Sequence, residues 1–427
     1  MKKKVLSVAF VTASMILCSC GSSKSAQTEN KQPVDTSIVT SSDDENTIDA
    51  GFGILSDSER EIVKKNNTFA LNLNRQLSGM ESKVVSPMSI TYLMGMLANG
   101  ADGNTQQEIL KAIGCEGLNV QELNALYHGL MQSAGRLDKK TIVNIANYVA
   151  VNKQNHLNSD FGKMVSDTYQ ARVESLDFSS SKSTAKINDW CKAHTDGMIP
   201  KIIDQIDPSA ISYIMNAIYF NGTWQEKFDA KNTKQENFHG YTRDIQKVSM
   251  MHQVEKFYYT ENNTFKAVDL PYGNGIYRMT VLLPNEGKSI DDMMKGMKVD
   301  KLEEINSQME KCMVNLKLPK FTTEMELPLN SIISNLGAPS IFLPGKANFN
   351  HFANGNFFVS KMLQKAKIEV NEQGTKAAAV TAAIMLTSMA PMEMRNVEFH
   401  ADHPFVYLIT DTNSGAILFM GQFTGNH

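Results

Sequence analysis

Cysteine is scarce in this sequence, which has five cysteines among 427 residues. Cys18 and Cys20 lie close together near the N-terminus, whereas Cys115, Cys191 and Cys312 are widely spaced. An odd number of distant cysteines argues against a disulfide framework and against metal sites of the Cys-x-x-Cys type. We therefore expect these last three cysteines to be small apolar side chains in the protein interior.

The sequence also lacks a strong excess of either charge and lacks the motifs of common enzymes. Its 45 acidic and 42 basic residues give a net charge of −3, which argues against a nucleic-acid partner. It contains no Gly-x-Ser-x-Gly or His-Glu-x-x-His motif, and the Gly-Asn-Gly at 273–275 is typical of a hairpin turn rather than a phosphate loop. His400 and His403 have zinc-like spacing, but we expect surface histidines there. The sequence thus predicts no enzyme, no cofactor and no metal.

No apolar run is long enough for a stable membrane span. The run from Val5 to Leu17 follows three lysines and is typical of a signal peptide. The sequence Leu-Cys-Ser-Cys at 17–20 resembles a bacterial lipobox, and Gly21 is similar to the residue found in outer-membrane lipoproteins; plain secretion is the alternative. We expect residues 1–19 to be removed, Cys20 to carry lipid, 20–52 to form a disordered tether, and 53–427 to form the folded domain.

A second uncharged stretch extends from Ala377 to Met392. It is short for a membrane span and contains Pro391. A buried helix, a strand and a functional loop remain open from pattern alone. Val380, Thr381 and Ile384 are stiff residues that favour strands over helices, and a loop of this length would be unusual unless it had a function.

The sequence before this stretch resembles the hinge of the serpins. The resemblance rests on Glu-Gln-Gly-Thr-Lys-Ala-Ala-Ala-Val-Thr at 372–381, followed by the strand-like sequences His-Ala-Asp-His-Pro-Phe and Gly-Ala-Ile-Leu-Phe-Met-Gly-Gln-Phe. It implies an exposed reactive-centre loop over about 372–397. The hinge residues that match are Glu372, Gly374, Thr375, Ala377, Ala378, Ala379 and Thr381.

Other phrases of the same family occur in the expected order along residues 55 to 425. Ser86-Pro87-x-Ser89 precedes a predicted helix, Asn216 and Trp224 lie in a tyrosine- and phenylalanine-rich strand region, and Gln364 stands where relatives often have histidine. The resemblance places Ser86, Ser89, Asn216, Trp224 and Gln364 where the main sheet opens. It implies an α+β serpin fold with a large central sheet, two smaller sheets and about eight or nine helices.

In this family a protease cuts the loop, which then inserts into the sheet as a strand. Alternate residues of a strand point to opposite faces, and Thr375, Ala377, Ala379 and Thr381 form one class of small, uncharged side chains. Lys376 falls in the other class, where it could face outward. A charge in the first class would cost several kcal/mol of desolvation, so the pattern suits insertion.

The family's usual spacing from the hinge glycine places the cut at Ser388-Met389. Because the loop is somewhat longer than in well-known relatives, Thr387, Leu386 and Met385 are alternatives. No lysine or arginine lies between Lys376 and Arg395, which favours elastase-like over trypsin-like serine proteases.

The resemblance predicts a suicide inhibitor of serine proteases. Its alternatives are a non-inhibitory serpin (a carrier, chaperone or decoy) and an inhibitor of cysteine proteases. We expect a monomer whose lipid anchor holds it on the outer membrane, facing the periplasm or the cell surface, or from which it is released.

Overall fold

The computed structural model of the protein describes residues 55–77, 79–353, 355–375 and 394–425. The predicted signal peptide, the lipidation site Cys20, the tether and the bait bond with its alternatives lie outside the described residues, as do Ala377, Ala378, Ala379 and Thr381. The described residues contain nine α-helices. They are α1 (Asp57–Gln76), α2 (Pro87–Gly100), α3 (Gly103–Ala112), α4 (Val120–Ala134), α5 (Ser159–Tyr169), α6 (Ser181–His194), α7 (Ile290–Lys295), α8 (Val299–Gln308) and α9 (Asn330–Asn335).

Side-chain caps fix the starts of the first two helices. Ser56 and Glu59 form a capping box at α1, in which each side chain accepts from the other residue's backbone N–H. Ser86 caps α2 through the backbone N–H of Ser89, and Pro87 occupies the first helical position, where a missing N–H costs nothing. Almost every residue of α2 is buried, so this helix forms the centre of the core.

The same residues contain fifteen strands. They are β1 (Lys83–Val85), β2 (Thr141–Asn152), β3 (Arg172–Leu176), β4 (Ser212–Thr223), β5 (Lys234–His239), β6 (Ile245–Glu261), β7 (Phe265–Pro271), β8 (Tyr277–Pro284), β9 (Glu310–Pro319), β10 (Phe321–Pro328), β11 (Lys361–Asn371), β12 (Gly374–Thr375), β13 (Asn396–His400), β14 (Phe405–Asp411) and β15 (Ile417–Phe423).

Two sheets are built from these strands. The central sheet has six strands in the order β10-β11-β12-β4-β2-β3, and β11 also pairs directly with β4. The other has nine strands in the order β1-β15-β14-β8-β7-β6-β9-β13, with β5 paired to β6. The two smaller sheets of the prediction are therefore continuous in this protein, because the long strand β6 pairs with β5 over residues 245–250, with β9 over residues 250–259 and with β7 over residues 258–261.

The predicted α+β architecture is confirmed, and two local predictions were wrong. The amphipathic pattern of residues 157–175 predicts one helix, but α5 ends at Tyr169 because Gln170 adopts a left-handed conformation (φ 50°), and the chain continues as β3. The sequence of residues 396–409 predicts one strand, but residues 401–404, which include Pro404, separate β13 from β14. In the described part of the chain, no helix has the length and apolar character needed to cross a membrane.

Candidate functional site

The predicted hinge begins as a strand inside the central sheet. In β12, Gly374 pairs with Asn371 of β11 on one side and with Thr223 of β4 on the other, and Thr375 pairs with Val370 and Gly222. Both pairings are antiparallel. Further along the sheet, β11 and β4 pair directly with each other in parallel over residues 361–367 and 213–219. Strands β11 and β4 are therefore apart at this end of the central sheet, and β12 lies between them.

Glycine is required at position 374 by the close approach of β4. Its φ is 145°, and a Cβ atom there would lie 2.0 Å from the carbonyl oxygen of Gly222. Such a contact involves backbone that cannot move aside without breaking the β4 ladder. The glycine that carries the family resemblance thus has a direct physical reason to be there.

Thr375 is fully buried beneath two stacked aromatic rings. Its hydroxyl lies 2.7 Å from the hydroxyl of Tyr272, and the ring of Tyr272 stacks on Trp224 with centroids 4.3 Å apart. The Trp224 indole N–H donates to the carbonyl oxygen of Asn371 at 2.9 Å, and its backbone N–H donates to that of Gln373 at 2.9 Å. Trp224 therefore holds the chain on both sides of the turn that leads into β12.

Glu372 forms the second attachment of the hinge. Its carboxylate pairs with the Lys320 ammonium at 2.9 Å and accepts a 2.9 Å hydrogen bond from the Thr233 hydroxyl. Its carbonyl oxygen accepts from the backbone N–H of Phe228 at 3.0 Å. Partial burial alone would raise the pKa of Glu372, but Lys320 and Thr233 outweigh it and hold the pKa below its usual value.

The structure brings together four of the five residues expected where the sheet opens. The Gln364 amide accepts from the backbone N–H of Ser86 at 2.8 Å and donates to the Ser86 carbonyl oxygen and to Asn216 Oδ1, both at 3.0 Å. The Ser86 hydroxyl donates to the carbonyl oxygen of Leu418 at 2.6 Å and lies 3.0 Å from the hydroxyl of Ser89. Trp224, the fifth residue, lies instead at the hinge.

Asn147 extends this buried network and was not predicted from the sequence. Asn216 Nδ2 donates to Asn147 Oδ1 at 2.9 Å, and Asn147 Nδ2 donates to the carbonyl oxygen of Tyr169 at 3.1 Å. Both asparagines and Gln364 are completely buried. An asparagine within the apolar strand sequence at 142–152 was the available signal, because a buried amide needs hydrogen-bond partners. The network crosses three strands, β11, β4 and β2.

Charged side chains occupy the opposite, outer face of β11. Lys365 and Lys367 pair with Glu324 and Glu369 respectively, each at 3.1 Å, and Lys365 also donates to the carbonyl oxygen of Lys201 at 2.9 Å. The inner face of the strand is buried and the outer face tolerates charge. In a strand inserted beside β11, alternate side chains would point to the buried inner face and to the outer face that tolerates charge.

The two histidines with zinc-like spacing do not share a site. His400 ends β13, whereas His403 contacts Asp402 Oδ1 at 2.8 Å through Nδ1 and the carbonyl oxygen of Pro284 at 2.9 Å through Nε2. Among the described residues, no group of three or more metal-binding side chains is found. Cys115, Cys191 and Cys312 are free and buried, as expected.

Comparison with known proteins shows the family. The family model described as Serpin (serine protease inhibitor) matches residues 64–425, so the chain belongs to the serpin family. The leukocyte elastase inhibitor of Equus caballus is 32% identical over 381 residues, covering 85% of this chain and 99% of that protein. A serpin-like protein of Thermococcus kodakarensis is 31% identical over 369 residues, covering 85% of each.

Solved serpin structures share the fold along most of the chain. The native state of the thermophilic serpin tengpin has a TM-score of 0.79 and 27% identity, covering 87% of this chain and 95% of that one. Thyroxine-binding globulin in complex with thyroxine has a TM-score of 0.77 and 25% identity, covering 86% and 99%. Serpins are generally protease inhibitors rather than catalysts.

Proposed function

We propose that this serpin inhibits serine proteases as a suicide substrate. The observation that carries the proposal is β12, in which two hinge residues already pair with both β11 and β4. The protease serine would attack the carbonyl carbon of the bait residue, form an acyl ester with it and release the amine of the downstream segment. The upstream segment, still joined to the protease, would then extend β12 between β11 and β4.

The register of β12 supports this insertion. Continued residue by residue, it pairs Lys376 with Glu369 on β11 and Asn221 on β4, where Lys376 would share the outer face with Glu369. The same register brings Thr381 between Gln364 and Asn216, which pair with each other in the present structure. Thr381 belongs to the inward class, and its hydroxyl can both donate and accept. It could therefore replace the Gln364–Asn216 hydrogen bond that the incoming strand must break.

Insertion would also improve the backbone pairing of the sheet. One parallel ladder between β11 and β4 would be replaced by two antiparallel ladders, each slightly more stable per residue. The uninserted form then persists because separating β11 from β4 is slow. Its stability is kinetic, which means that it is set by the rate of this step rather than by an equilibrium free energy. Distortion of the trapped protease before the acyl ester hydrolyses would complete the inhibition.

Elastase-like enzymes are the proposed targets, with Ser388-Met389 as the bait bond and Thr387, Leu386 and Met385 as alternatives. The support is the lack of lysine or arginine between Lys376 and Arg395, together with the similarity to a protein named leukocyte elastase inhibitor. Cysteine proteases, which also form acyl-enzymes, are the alternative target class.

The proposal is tested by incubating the full chain with a panel of proteases. Elastase-like enzymes should form complexes that survive denaturing gels, while trypsin should be captured poorly. Mass spectrometry of the released fragment locates the cut. Turnover of the chain by every serine and cysteine protease, without a stable complex, would contradict inhibition.

A second candidate function, a carrier of small amphipathic ligands, is favoured by one cleft. It has a volume of about 360 Å³ and lies between α1, α8 and the nine-stranded sheet, within the usual size range for ligand pockets. Its lining combines apolar side chains, such as Val63 and Leu302, with charged ones, such as Arg60, Lys64 and Glu303. Binding of small amphipathic probes by a chain that forms no complex with any protease would favour this function.

We further propose that Cys20 carries a lipid that holds the protein on the outer membrane. The support is the Leu-Cys-Ser-Cys sequence after the apolar run. Cys20→Ala should move the protein from the membrane fraction to the soluble one. Retention of the variant in the membrane fraction would refute the anchor.

A further inference from the structure

Arg395 is the first basic residue after Lys376, so its peptide bond is the nearest downstream bond that a trypsin-like protease could cut. Such proteases bind an arginine or lysine side chain in a pocket with an aspartate at its base. The side chain of Arg395 would have to be free to enter that pocket. In the structure the Arg395 side chain instead contacts other residues of this protein.

The Arg395 guanidinium lies between two glutamates from neighbouring strands. Nη1 is 3.1 Å from Glu310 Oε1 at the start of β9, and Nη2 pairs with Glu261 Oε1 at the end of β6. The guanidinium carbon lies 5.8 Å from the ring centre of Tyr259, whose hydroxyl donates to Glu261 Oε2 at 2.8 Å. One planar guanidinium thus contacts two carboxylates through separate nitrogens and lies over an aromatic ring, a fixed geometry that the compact ammonium of a lysine does not reproduce.

The backbone at Arg395 is held as well. Its carbonyl oxygen accepts a 2.9 Å hydrogen bond from the backbone N–H of Met313, and β13 begins at the next residue in parallel pairing with β9. The bond between Arg395 and Asn396 is therefore part of the sheet. A protease could reach it only after this end of β13 had separated from β9, which is a local unfolding event.

We propose that Arg395 is a positioning and specificity-determining residue that fastens the downstream end of the reactive-loop region to β6 and β9 and withholds its own peptide bond from trypsin-like proteases. We call this group the Arg395 clasp; it consists of Arg395, Glu261, Glu310 and Tyr259. The effect of the clasp on the choice of target protease rests on the proposed inhibitory function. The protection of the Arg395–Asn396 bond does not.

The strength of the clasp comes from the shared cation rather than from any single ion pair. Isolated pairs at half-exposed sites contribute little, because water screens them and the side chains lose entropy. If Arg395 left, Glu261 and Glu310 would lose the cation that they share. The Tyr259 hydroxyl and Arg395 together lower the pKa of Glu261, and both glutamates raise the pKa of Arg395, so Glu261 and Arg395 keep their charge near neutral pH.

The test is limited trypsin digestion of the native full-length chain, read as the rate of appearance of a fragment that begins at Asn396. The Glu261→Gln/Glu310→Gln double variant leaves Arg395 in place but removes both charged partners. We expect cleavage after Arg395 to become roughly five- to thirty-fold faster, because cleavage follows the population of the open form. Arg395→Lys keeps a residue that trypsin accepts and should also be cut faster than the wild type.

Glu398→Gln is the matched control, since it removes an exposed carboxylate from β13 and should leave the cleavage rate unchanged. Rates at other lysines and arginines are measured in the same digest, because general destabilisation would raise all of them together. Wild-type cleavage after Arg395 as fast as in the double variant, or a uniform rise at every site, would overturn the clasp.

A second measurement separates the clasp from the proposed inhibitory function. The double variant should be consumed by trypsin as a substrate while its complex formation with an elastase-like protease is unchanged. If the wild type forms no complex with any protease but the bond after Arg395 is still protected by the clasp, the proposed function fails and the clasp stands.

Discussion

At the scale of single residues, the hinge depends on a few side chains whose partners are distant in sequence. Glu372 could be recognised from the family resemblance, but its contacts with Lys320 and Thr233 could not, because they depend on how two other segments pack. The same holds for Tyr272, which precedes the predicted Gly-Asn-Gly turn and in the structure contacts Thr375. Burial raises the pKa of Tyr272 well above its usual value, so its hydroxyl stays neutral and available as a hydrogen-bond partner.

Glu372→Gln should destabilise the protein near neutral pH by about 1.5 kcal/mol, since it removes a charged partner of Lys320. The folded-state pKa of Glu372 lies below the unfolded value of about 4.3. Its stabilising contribution is therefore complete above that value and is lost as the pH falls through the folded-state pKa. The midpoints of thermal unfolding of variant and wild type should differ at pH 7 and converge in acid. Glu398→Gln is the control, and a difference that persists unchanged in acid would contradict this role for the charge.

At the scale of secondary structure, local signals predicted the elements that begin with them. Ser56 with Glu59 and Ser86 with Pro87 satisfy helix ends from within their own segments, so the starts of α1 and α2 were predictable. The end of α5 depends on Gln170 adopting a positive φ, which its side chain does not favour and which no pattern indicated. The continuity of the second sheet was also hidden, because it requires one strand to pair with three others.

The residues around the opening of the sheet were likewise predicted only in part. The structure brings Ser86, Ser89, Asn216 and Gln364 to one place, as the resemblance implied, although their role in opening is a proposal. Gln364 supplies both an acceptor and a donor to one backbone residue, Ser86, and a donor to Asn216. A glutamine does not titrate, so we expect no pH dependence of opening from this position. Asn147 enters only through tertiary contact with Asn216, which a single sequence cannot reveal.

At the scale of the whole molecule, the proposed mechanism requires two states of one chain. The present structure has the parallel contact of β11 with β4 intact over seven residue pairs and the antiparallel contact with β12 limited to two on each side. Completing β12 would separate those seven pairs and pass the buried Gln364–Asn216 bond. In the proposed mechanism the barrier lies within the sheet, whereas the proposed site of protease attack lies in the loop. Variants that affect only one of these steps can therefore be designed.

Thr375→Arg is such a variant, because it leaves the bait sequence unchanged and places a charge where the structure has a fully buried threonine next to Tyr272. A buried, unpaired charge costs several kcal/mol, so the variant should hold β12 out of the sheet. Entry and extension of the strand should then slow, while attack on the loop should not. The acyl-enzyme then has time to hydrolyse, and the inhibitor becomes a substrate. We expect a higher stoichiometry of inhibition, a lower yield of denaturant-resistant complex and a less heat-stable cleaved form. The matched control is Lys376→Arg, which keeps a positive charge in the outward class. Thr375→Val tests the loss of the hydroxyl alone. Both variants should change the stoichiometry of inhibition little. A Thr375→Arg chain that traps protease with unchanged stoichiometry and yields a fully heat-stable cleaved form would show that strand insertion is not how this protein inhibits.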